Sequence, residues 1–242
     1  MMRDLPPRRR TPRSPWSQAI GERLTPTITA FVIVSALVYA FYALVPGAPL
    51  PMLEHLAIGP RLWAGEIWQP LTSLFLNTSF VSLILNVIGI WFAGALVERN
   101  QGTRRLLLLF LGAGVLANLV FALVSRALHG GDILPGSSLA LLAVFVGIGR
   151  IYGRAQMQVI GSLFLQARTL ALIFVAWGVV ACLFDRQWAQ LAATLTAAAV
   201  GYLAAAPGGL GELWAAMKVR RLRRRYRVIE GGAGRPPKNY MN

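Results

Sequence analysis

Residues 106–124 read LLLLFLGAGVLANLVFALV, an apolar run that contains no Lys, Arg, Asp or Glu. The run approaches the ~20 residues that a helix needs to cross about 30 Å of hydrocarbon. Three further runs without these charged residues lie at 27–45, 81–97 and 169–184. Over the whole chain 56% of residues are hydrophobic and 14% are charged, whereas an ordinary soluble domain carries about 25% charged residues. The sequence therefore predicts an integral membrane protein.

Two shorter apolar stretches complete the predicted membrane part, at 139–149 and 191–206. Because they are shorter or less apolar than the other runs, they are expected to pack inside a helical bundle, where neighbouring helices cover them. The run at 27–45 exceeds the roughly 7–15 residues of a signal-peptide core, so it is interpreted as a retained first span. The predicted fold class is an all-α bundle of six transmembrane helices.

The distribution of basic residues along the chain predicts the membrane topology. The formal net charge is +15, with 24 Lys and Arg in all. Against the six spans, Arg61, Arg126 and Arg186 fall on one side and the other 21 fall on the opposite side. The positive-inside rule produces this split when both termini are cytoplasmic. We therefore expect a bacterial-type inner membrane protein with several spans, and no nucleic-acid partner.

The domain organisation follows from composition. Residues 1–25 are rich in Pro and Arg and are predicted to be a disordered cytoplasmic segment. Residues 26–206 form the predicted membrane domain. Residues 207–242 are predicted to be a basic amphipathic cytoplasmic tail with a C-terminal helix, because apolar residues at helical spacing precede the basic run at 220–225. This tail is interpreted as a stop-transfer anchor that attracts anionic lipids, or as a docking site for a cytoplasmic partner.

Metal and redox chemistry have few candidate residues. The chain has one cysteine, Cys182, and two histidines, His55 and His129, both in loops on the predicted outer side. No His or Cys pair has the spacing of metal ligands. We therefore predict no intrachain disulfide, no metal site and no cofactor.

Three local patterns occur in order along the spans. The first is GEIWQPLT at 65–72, followed by FLN at 75–77 and by Asn86. The second is GALVERNQG at 94–102, at the inner end of the second span, and the third is GSS at 136–138, at the start of the fourth. Taken together on a six-span topology, they resemble the rhomboid family of intramembrane serine proteases. The resemblance covers roughly residues 26–206.

The resemblance implies a fold in which the fourth span starts below the outer surface, beneath the long first loop. It places Ser138 at the position of the family nucleophile, two residues after Gly136. It also places Asn86 and Ser82 at the positions that face the oxyanion in the family. Polar groups at such a depth require burial in protein or a water-filled cavity.

The catalytic histidine of the family has no counterpart in this sequence. Rhomboids carry it in an Ala-His-x-Gly-Gly pattern, and the matching residues 189–193 read AQLAA, with Gln190 in place of the histidine. A neutral amide accepts a hydrogen bond but takes up no proton near pH 7, so the general base is absent. The other departures are Asn77 and Ser82 where histidines are common, Gln69 for arginine, Leu139 for glycine and Leu142 for an aromatic residue.

These departures favour structural interpretations of several residues. Leu139 is expected to hold the fourth and sixth helices apart, where small residues normally allow close approach. Ser138 is interpreted as a helix N-cap in preference to a nucleophile. His129 and His55 are alternative bases that we disfavour, since solvated loop histidines explain both. Glu98 with Arg99 is interpreted as a tether for the loop that follows the second span.

The sequence therefore favours a rhomboid-fold pseudoprotease that binds or scaffolds other transmembrane proteins. The alternative is an active rhomboid-type serine endopeptidase with an atypical base. A transporter is disfavoured because the spans contain no charged residue to mark an ion path. A further alternative is that the chain is a structural subunit of a larger membrane complex.

Overall fold

The computed structural model describes residues 25–128, 130–160 and 163–206. The predicted N-terminal segment, the tail after residue 206 and His129 lie outside these ranges. Within them the chain forms eight α-helices: α1 (Pro26–Leu44), α2 (Pro49–Leu56), α3 (Gln69–Thr72), α4 (Phe80–Gln101), α5 (Thr103–Ala127), α6 (Ser137–Ile151), α7 (Ala167–Phe184) and α8 (Trp188–Ala204). Both α4 and α5 contain one π-helical turn, at Ile90–Gly94 and at Leu108–Gly112.

Every predicted span forms a helix. By length and composition α1, α4, α5 and α7 can cross a membrane. Helices α6 and α8 have 15 and 17 residues, which at 1.5 Å per residue is about 22 and 26 Å, less than the ~30 Å hydrocarbon core. The all-α membrane fold is confirmed, and the count of six spans stays a prediction.

Burial separates the helices of the periphery from those of the centre. Most of α6 is buried, whereas only 17% of the residues of α1 or α7 are buried. Helix α7 exposes large apolar side chains, among them Trp177 at 75% and Phe184 at 84%. The short helix α6 therefore lies inside the bundle, while α1 and α7 present apolar surface to lipid.

Small residues bring the central helices together. Ala189, Ala193, Ala197 and Gly201 recur every four residues on the buried face of α8, and α8 packs on both α5 and α6. A Cβ atom at Gly201 would lie only 2.5 Å from the carbonyl oxygen of Ala143 on α6. Because small side chains let helix backbones approach, this row of residues fixes the position of α8 against α6.

The expected effect of Leu139 on this packing stays a prediction. Leu139 is 3% exposed and shares a buried cluster with Ala189 and Ala193 of α8. The backbones of α6 and α8 nevertheless approach closely at Ala143 and Gly201. Leu139 therefore packs against alanine side chains of α8, at a different level from this close approach.

The long first loop is folded along most of its length. It contains α2, a 3₁₀ turn at Pro60–Ala64, α3 and a second 3₁₀ turn at Ser73–Phe75. Ile58 forms an isolated antiparallel bridge with Leu134, just before α6. Two backbone hydrogen bonds, of 3.1 and 2.9 Å, make this bridge. The loop is therefore fixed to the segment that leads into the fourth predicted span.

The connection between α6 and α7 contains a β-hairpin that the sequence did not predict. Strands β1 (Gln156–Ile160) and β2 (Leu163–Gln166) pair antiparallel, with Gln156 opposite Gln166. Gln alternates with apolar residues over QMQV at 156–159, which is the sequence period of a strand. The alternating segment is too short, and lies too close to basic residues, to predict a strand. The hairpin lies in a connection, so the membrane helices still form an all-α bundle.

Contacts of arginines place two basic connections at one end of the bundle. The Arg105 guanidinium donates to the carbonyl oxygen of Ala206, and Arg150 Nη1 donates to the carbonyl oxygen of Tyr202 at 2.9 Å. Both acceptors lie at the C-terminal end of α8. The α4–α5 and α6–α7 connections therefore share an end, as the charge pattern predicts.

Substitution of Gly201 by Ala tests the close contact between α8 and α6. The added methyl collides with the Ala143 backbone, and overpacking of this kind typically costs about 1–3 kcal/mol. We expect Gly201→Ala to lower the Tm of the purified protein in detergent by several degrees. Gly112→Ala is the matched control, because its Cβ would meet only Leu108 Cδ2, at 3.9 Å. Equal Tm values for the two variants would contradict the packing described.

Candidate functional site

The start of α6 is held against the first loop by a backbone contact. The Gly136 amide donates to the carbonyl oxygen of Ser73 at 3.0 Å. A Cβ atom at Gly136 would lie 2.5 Å from the carboxamide of Asn118 on α5, so a side chain there would have to displace this buried amide. The glycine of the GSS pattern is therefore required by the close approach of α5, the first loop and α6.

Asn118 is the central polar residue of this junction, and it belongs to none of the three sequence patterns. Its side chain is fully buried and its Nδ2 donates to the Pro70 carbonyl oxygen at 3.0 Å and to Ser73 Oγ at 2.8 Å. The available signal was an asparagine in the apolar run at 106–124, since a polar residue inside a span usually has a role.

The two serines of the GSS pattern occupy different environments. Ser137 is 4% exposed, whereas Ser138 is exposed. Helix α6 begins at Ser137, with Gly136 at the N-cap position and no side-chain capping hydrogen bond. The interpretation of Ser138 as an N-cap is therefore wrong, because this residue already lies in the first turn of the helix.

A polar cluster lies beneath the start of α6 and is centred on Asn77. Asn77 is fully buried, and its Oδ1 accepts from Ser82 Oγ, Asn86 Nδ2 and Ser137 Oγ, each at 3.3 Å. These distances are at the long end of the hydrogen-bonding range. The structure thus brings together the two oxyanion-position residues with Ser137, and it directs their donors to the Asn77 amide.

Gln190 lies near the start of α8 and is partly buried. Its carbonyl oxygen accepts from Thr194 Oγ1 at 2.8 Å. Among the described residues no hydrogen bond joins the Gln190 side chain to Ser138. The two positions that carry the catalytic dyad in the family are therefore unconnected by hydrogen bonding in this chain.

His55 is engaged elsewhere. It lies on α2 in the first loop, its side chain is 48% exposed, and its Nδ1 is 2.8 Å from Glu66 Oε1. Arg61 completes this outer cluster, with Nη2 2.6 Å from Glu54 Oε2 and Nη1 3.7 Å from Glu66 Oε1. His55 thus belongs to a surface cluster of charges and not to the cluster around Asn77.

Gln69 organises the first loop over the site. The side chain is fully buried; its Oε1 accepts from the Gly59 amide at 3.2 Å, and its Nε2 donates to the Glu54 carbonyl oxygen and to Glu66 Oε2, both at 3.0 Å. The Trp68 indole donates to the His55 carbonyl oxygen at 3.1 Å. A neutral amide at the position of the family arginine therefore still closes this loop.

Glu98 ties the inner end of α4 to its neighbours. Its Oε1 accepts from Thr103 Oγ1 at 2.7 Å, and its Oε2 accepts from the Thr25 hydroxyl. These bonds connect α4 to the starts of α5 and α1. The expectation of a structural tether at the GALVERNQG pattern fits this arrangement.

The cluster supplies hydrogen-bond donors but no group that removes a proton. A serine hydroxyl needs a base within hydrogen-bond reach to act as a nucleophile, and the cluster around Asn77 consists of neutral amides and hydroxyls. Asn86 Oδ1 and Asn118 Oδ1 are buried and accept from no described group. The arrangement suits polar contacts inside the membrane better than covalent catalysis.

Comparison with protein families matches residues 64–209 to the Rhomboid domain. The chain is 28% identical over 99 residues to the putative rhomboid protease YdcA of Bacillus subtilis. The aligned region covers 40% of this chain and 49% of that protein. The chain is 29% identical over 143 residues to the rhomboid protease GluP of the same organism, covering 56% and 28%. It is 26% identical over 173 residues to the rhomboid protease GlpG of Salmonella choleraesuis, covering 72% and 59%. The chain spans less than two thirds of each of these relatives.

Substitution of Asn118 by Ala tests the junction at the start of α6. It removes the donor to Pro70 and Ser73, and we expect a loss of roughly 1–2 kcal/mol in the free energy of unfolding. The control is Asn100→Ala, since Asn100 is exposed and, among the described residues, its side chain donates to the Leu96 carbonyl oxygen of its own helix, at 2.9 Å. Unfolding in detergent, followed by tryptophan fluorescence, measures both. An unchanged stability for Asn118→Ala would contradict its central role.

Proposed function

This chain belongs to the rhomboid family, and from that premise we propose that it is a pseudoprotease. In this proposal the protein keeps the rhomboid fold and binds or scaffolds other transmembrane proteins without cleaving them. We place it in a bacterial-type inner membrane with both termini in the cytoplasm, where the basic tail at 207–242 contacts anionic lipids. Its partners are transmembrane helices of other membrane proteins.

The observation that carries the proposal is the absence of a base beside the family serine. Gln190 stands where the family has its histidine, and a carboxamide does not take up the serine proton near neutral pH. General base catalysis contributes about 10²–10⁴-fold to such reactions. A hydroxyl at Ser138 without this assistance is a poor nucleophile, even though the residue is exposed.

The donors at the oxyanion positions support the same conclusion. Preorganised donors accelerate acyl transfer only when they point at the developing negative oxygen. Here Ser82 Oγ and Asn86 Nδ2 donate to the Asn77 side chain, which itself replaces a histidine common in the family. The residues have therefore formed an internal polar contact that stabilises the fold, where the family uses them for catalysis.

The binding role is supported by the outward face of α4. Ser82 and Asn86 point toward the polar cluster, while Phe80, Val81 and Leu85 on the same helix are more than 60% exposed. This apolar surface lies immediately beside the buried polar groups. A transmembrane helix docked here would bury apolar area on α4 while its backbone stays internally hydrogen-bonded.

The competing function is a serine endopeptidase that uses an atypical base. Two observations favour it: the relatives are named rhomboid proteases, and Ser138 is exposed at the position of the family nucleophile. The two hypotheses differ in the reactivity of one hydroxyl, so a direct chemical test separates them.

Labelling with a fluorophosphonate tests the serine. We expect no labelling of the unaltered protein above the background of Ser138→Ala. The double substitution Gln190→His and Leu139→Gly is expected to raise the labelling rate at least about 100-fold, because a base then adjoins the hydroxyl. Gel fluorescence of purified protein measures the labelling.

Two further variants control this experiment. Adding Ser138→Ala to the double substitution is expected to abolish labelling, whereas adding Ser137→Ala is expected to retain it, since Ser137 is buried. Robust labelling of the unaltered protein, together with cleavage of a transmembrane substrate that Ser138→Ala abolishes, would establish a protease and end the pseudoprotease proposal.

Site-specific photocrosslinking tests the binding role. A photoreactive residue at Val81, which is 65% exposed on α4, is expected to give a discrete adduct with another membrane protein in intact cells. The control position is Leu123 on α5, which is 56% exposed and is expected to give lipid adducts only. Mass spectrometry identifies the adducts, and equal patterns at the two positions would argue against docking on α4.

A further inference from the structure

A cavity of about 490 Å³ opens at the arginine-rich end of the bundle, between α6, α7 and the end of α8. Three arginines line it: Arg150 at the end of α6, Arg154 in the following connection, and Arg168 at the start of α7. It lies at the opposite end of the membrane domain from the first loop. The proposed function uses none of these residues.

The arginines differ in how firmly they are held. Arg150 is fixed, because its Nη1 donates to the Tyr202 carbonyl oxygen at 2.9 Å and its Cζ lies 4.0 Å from the centre of the Tyr202 ring. A guanidinium has five N–H donors, so this contact leaves others available. Arg154 and Arg168 are exposed and form no ion pair with any residue that the structure describes. The cavity therefore combines one oriented cation with two that lack a described counter-charge.

The rest of the wall is apolar and continuous with the lipid-facing surface. Ala171, Leu172 and Val175 of α7 line the cavity, and Leu172 is 59% exposed. Helix α7 is among the least buried of the membrane-capable helices. The cavity thus has arginines at the level of the helix ends and hydrocarbon-like side chains one to two turns deeper in the bundle.

We propose that this cavity binds an anionic phospholipid, with the phosphate held by Arg150, Arg154 and Arg168 and an acyl chain against α7. The planar guanidinium of arginine can bind phosphate through two N–H donors at once, whereas the ammonium group of lysine acts as a compact point charge. A free phosphate offers the arginines the same chemistry, but it has no acyl chain that would contact the apolar wall formed by α7. The site differs from the predicted lipid contact of the tail, because it is formed by three helices of the membrane domain.

Native mass spectrometry of the full-length protein in detergent tests the proposal. Dioleoylphosphatidylglycerol is titrated against dioleoylphosphatidylcholine and against inorganic phosphate. We expect tight binding of one phosphatidylglycerol, and weak binding of the other two. Arg154→Gln and Arg168→Gln are each expected to weaken phosphatidylglycerol binding about fivefold, the equivalent of the ~1 kcal/mol that a basic residue contributes near an anionic surface.

Two variants separate this site from general attraction of basic protein for anionic lipid. Arg104→Gln removes an exposed arginine in the first turn of α5, at the same end of the bundle and outside the cavity, and this variant is expected to bind like the unaltered protein. Gly153→Leu fills the cavity without changing charge, and among the described residues a Cβ there meets the Gly149 carbonyl oxygen alone, at 3.5 Å. We expect it to reduce binding as the arginine variants do.

Three outcomes would overturn the proposal. The first is phosphatidylcholine binding as tight as phosphatidylglycerol. The second is an equal loss for Arg104→Gln and Arg154→Gln, which would indicate diffuse charge attraction. The third is saturation by inorganic phosphate at the same concentration as the lipid, which would indicate a free-anion site without an acyl contact.

Discussion

The membrane domain depends on the need to satisfy backbone and side-chain polar groups where no water is available. At the start of α6, the junction of Asn118, Ser73 and Gly136 meets that need for the Gly136 amide and for the Asn118 Nδ2 donor. The Gly136 amide donates to the first loop, and Asn118 donates to the same loop from α5. Because these bonds connect three separate parts of the chain, a helix too short to span the bilayer can begin inside the bundle. The packing of α5, α6 and α8 around it then follows from small residues.

The need to satisfy buried polar groups also explains the hydrogen bonds that this chain forms at the positions used for catalysis in the family. Once Gln190 replaces the histidine, the remaining hydroxyls and amides still need partners in a buried site. Asn77 supplies one acceptor to Ser82, Asn86 and Ser137. A polar cluster of this kind stabilises the fold whether or not it has a chemical role. The residues of a protease site can therefore persist as structural contacts, and their presence alone is poor evidence of activity.

Much of the fold could be predicted from the sequence, and the reasons for the failures are physical. Apolar runs and the distribution of arginines indicated the helices and the two ends of the bundle, since both depend on local composition. The roles of Asn118 and Ser137 could not be predicted, because they depend on which helix faces which. The surroundings of Leu139 could not be predicted for a similar reason: they are formed by alanines of α8, which lie some 50 residues away in sequence. The hairpin at Gln156–Gln166 was too short to stand out within a basic connection.

Gln69 has a consequence for how the outer loop responds to its surroundings. An arginine at this position would hold the loop through its charge, and ion pairs at a surface weaken as dissolved salt screens them. Gln69 is fully buried and holds Gly59 and Glu54 through short-range bonds of a neutral amide. The exposed ion pair of Arg61 with Glu54 remains sensitive to screening. Dissolved salt would therefore weaken the ion pairs at the rim of the loop and leave the buried Gln69 anchor in place.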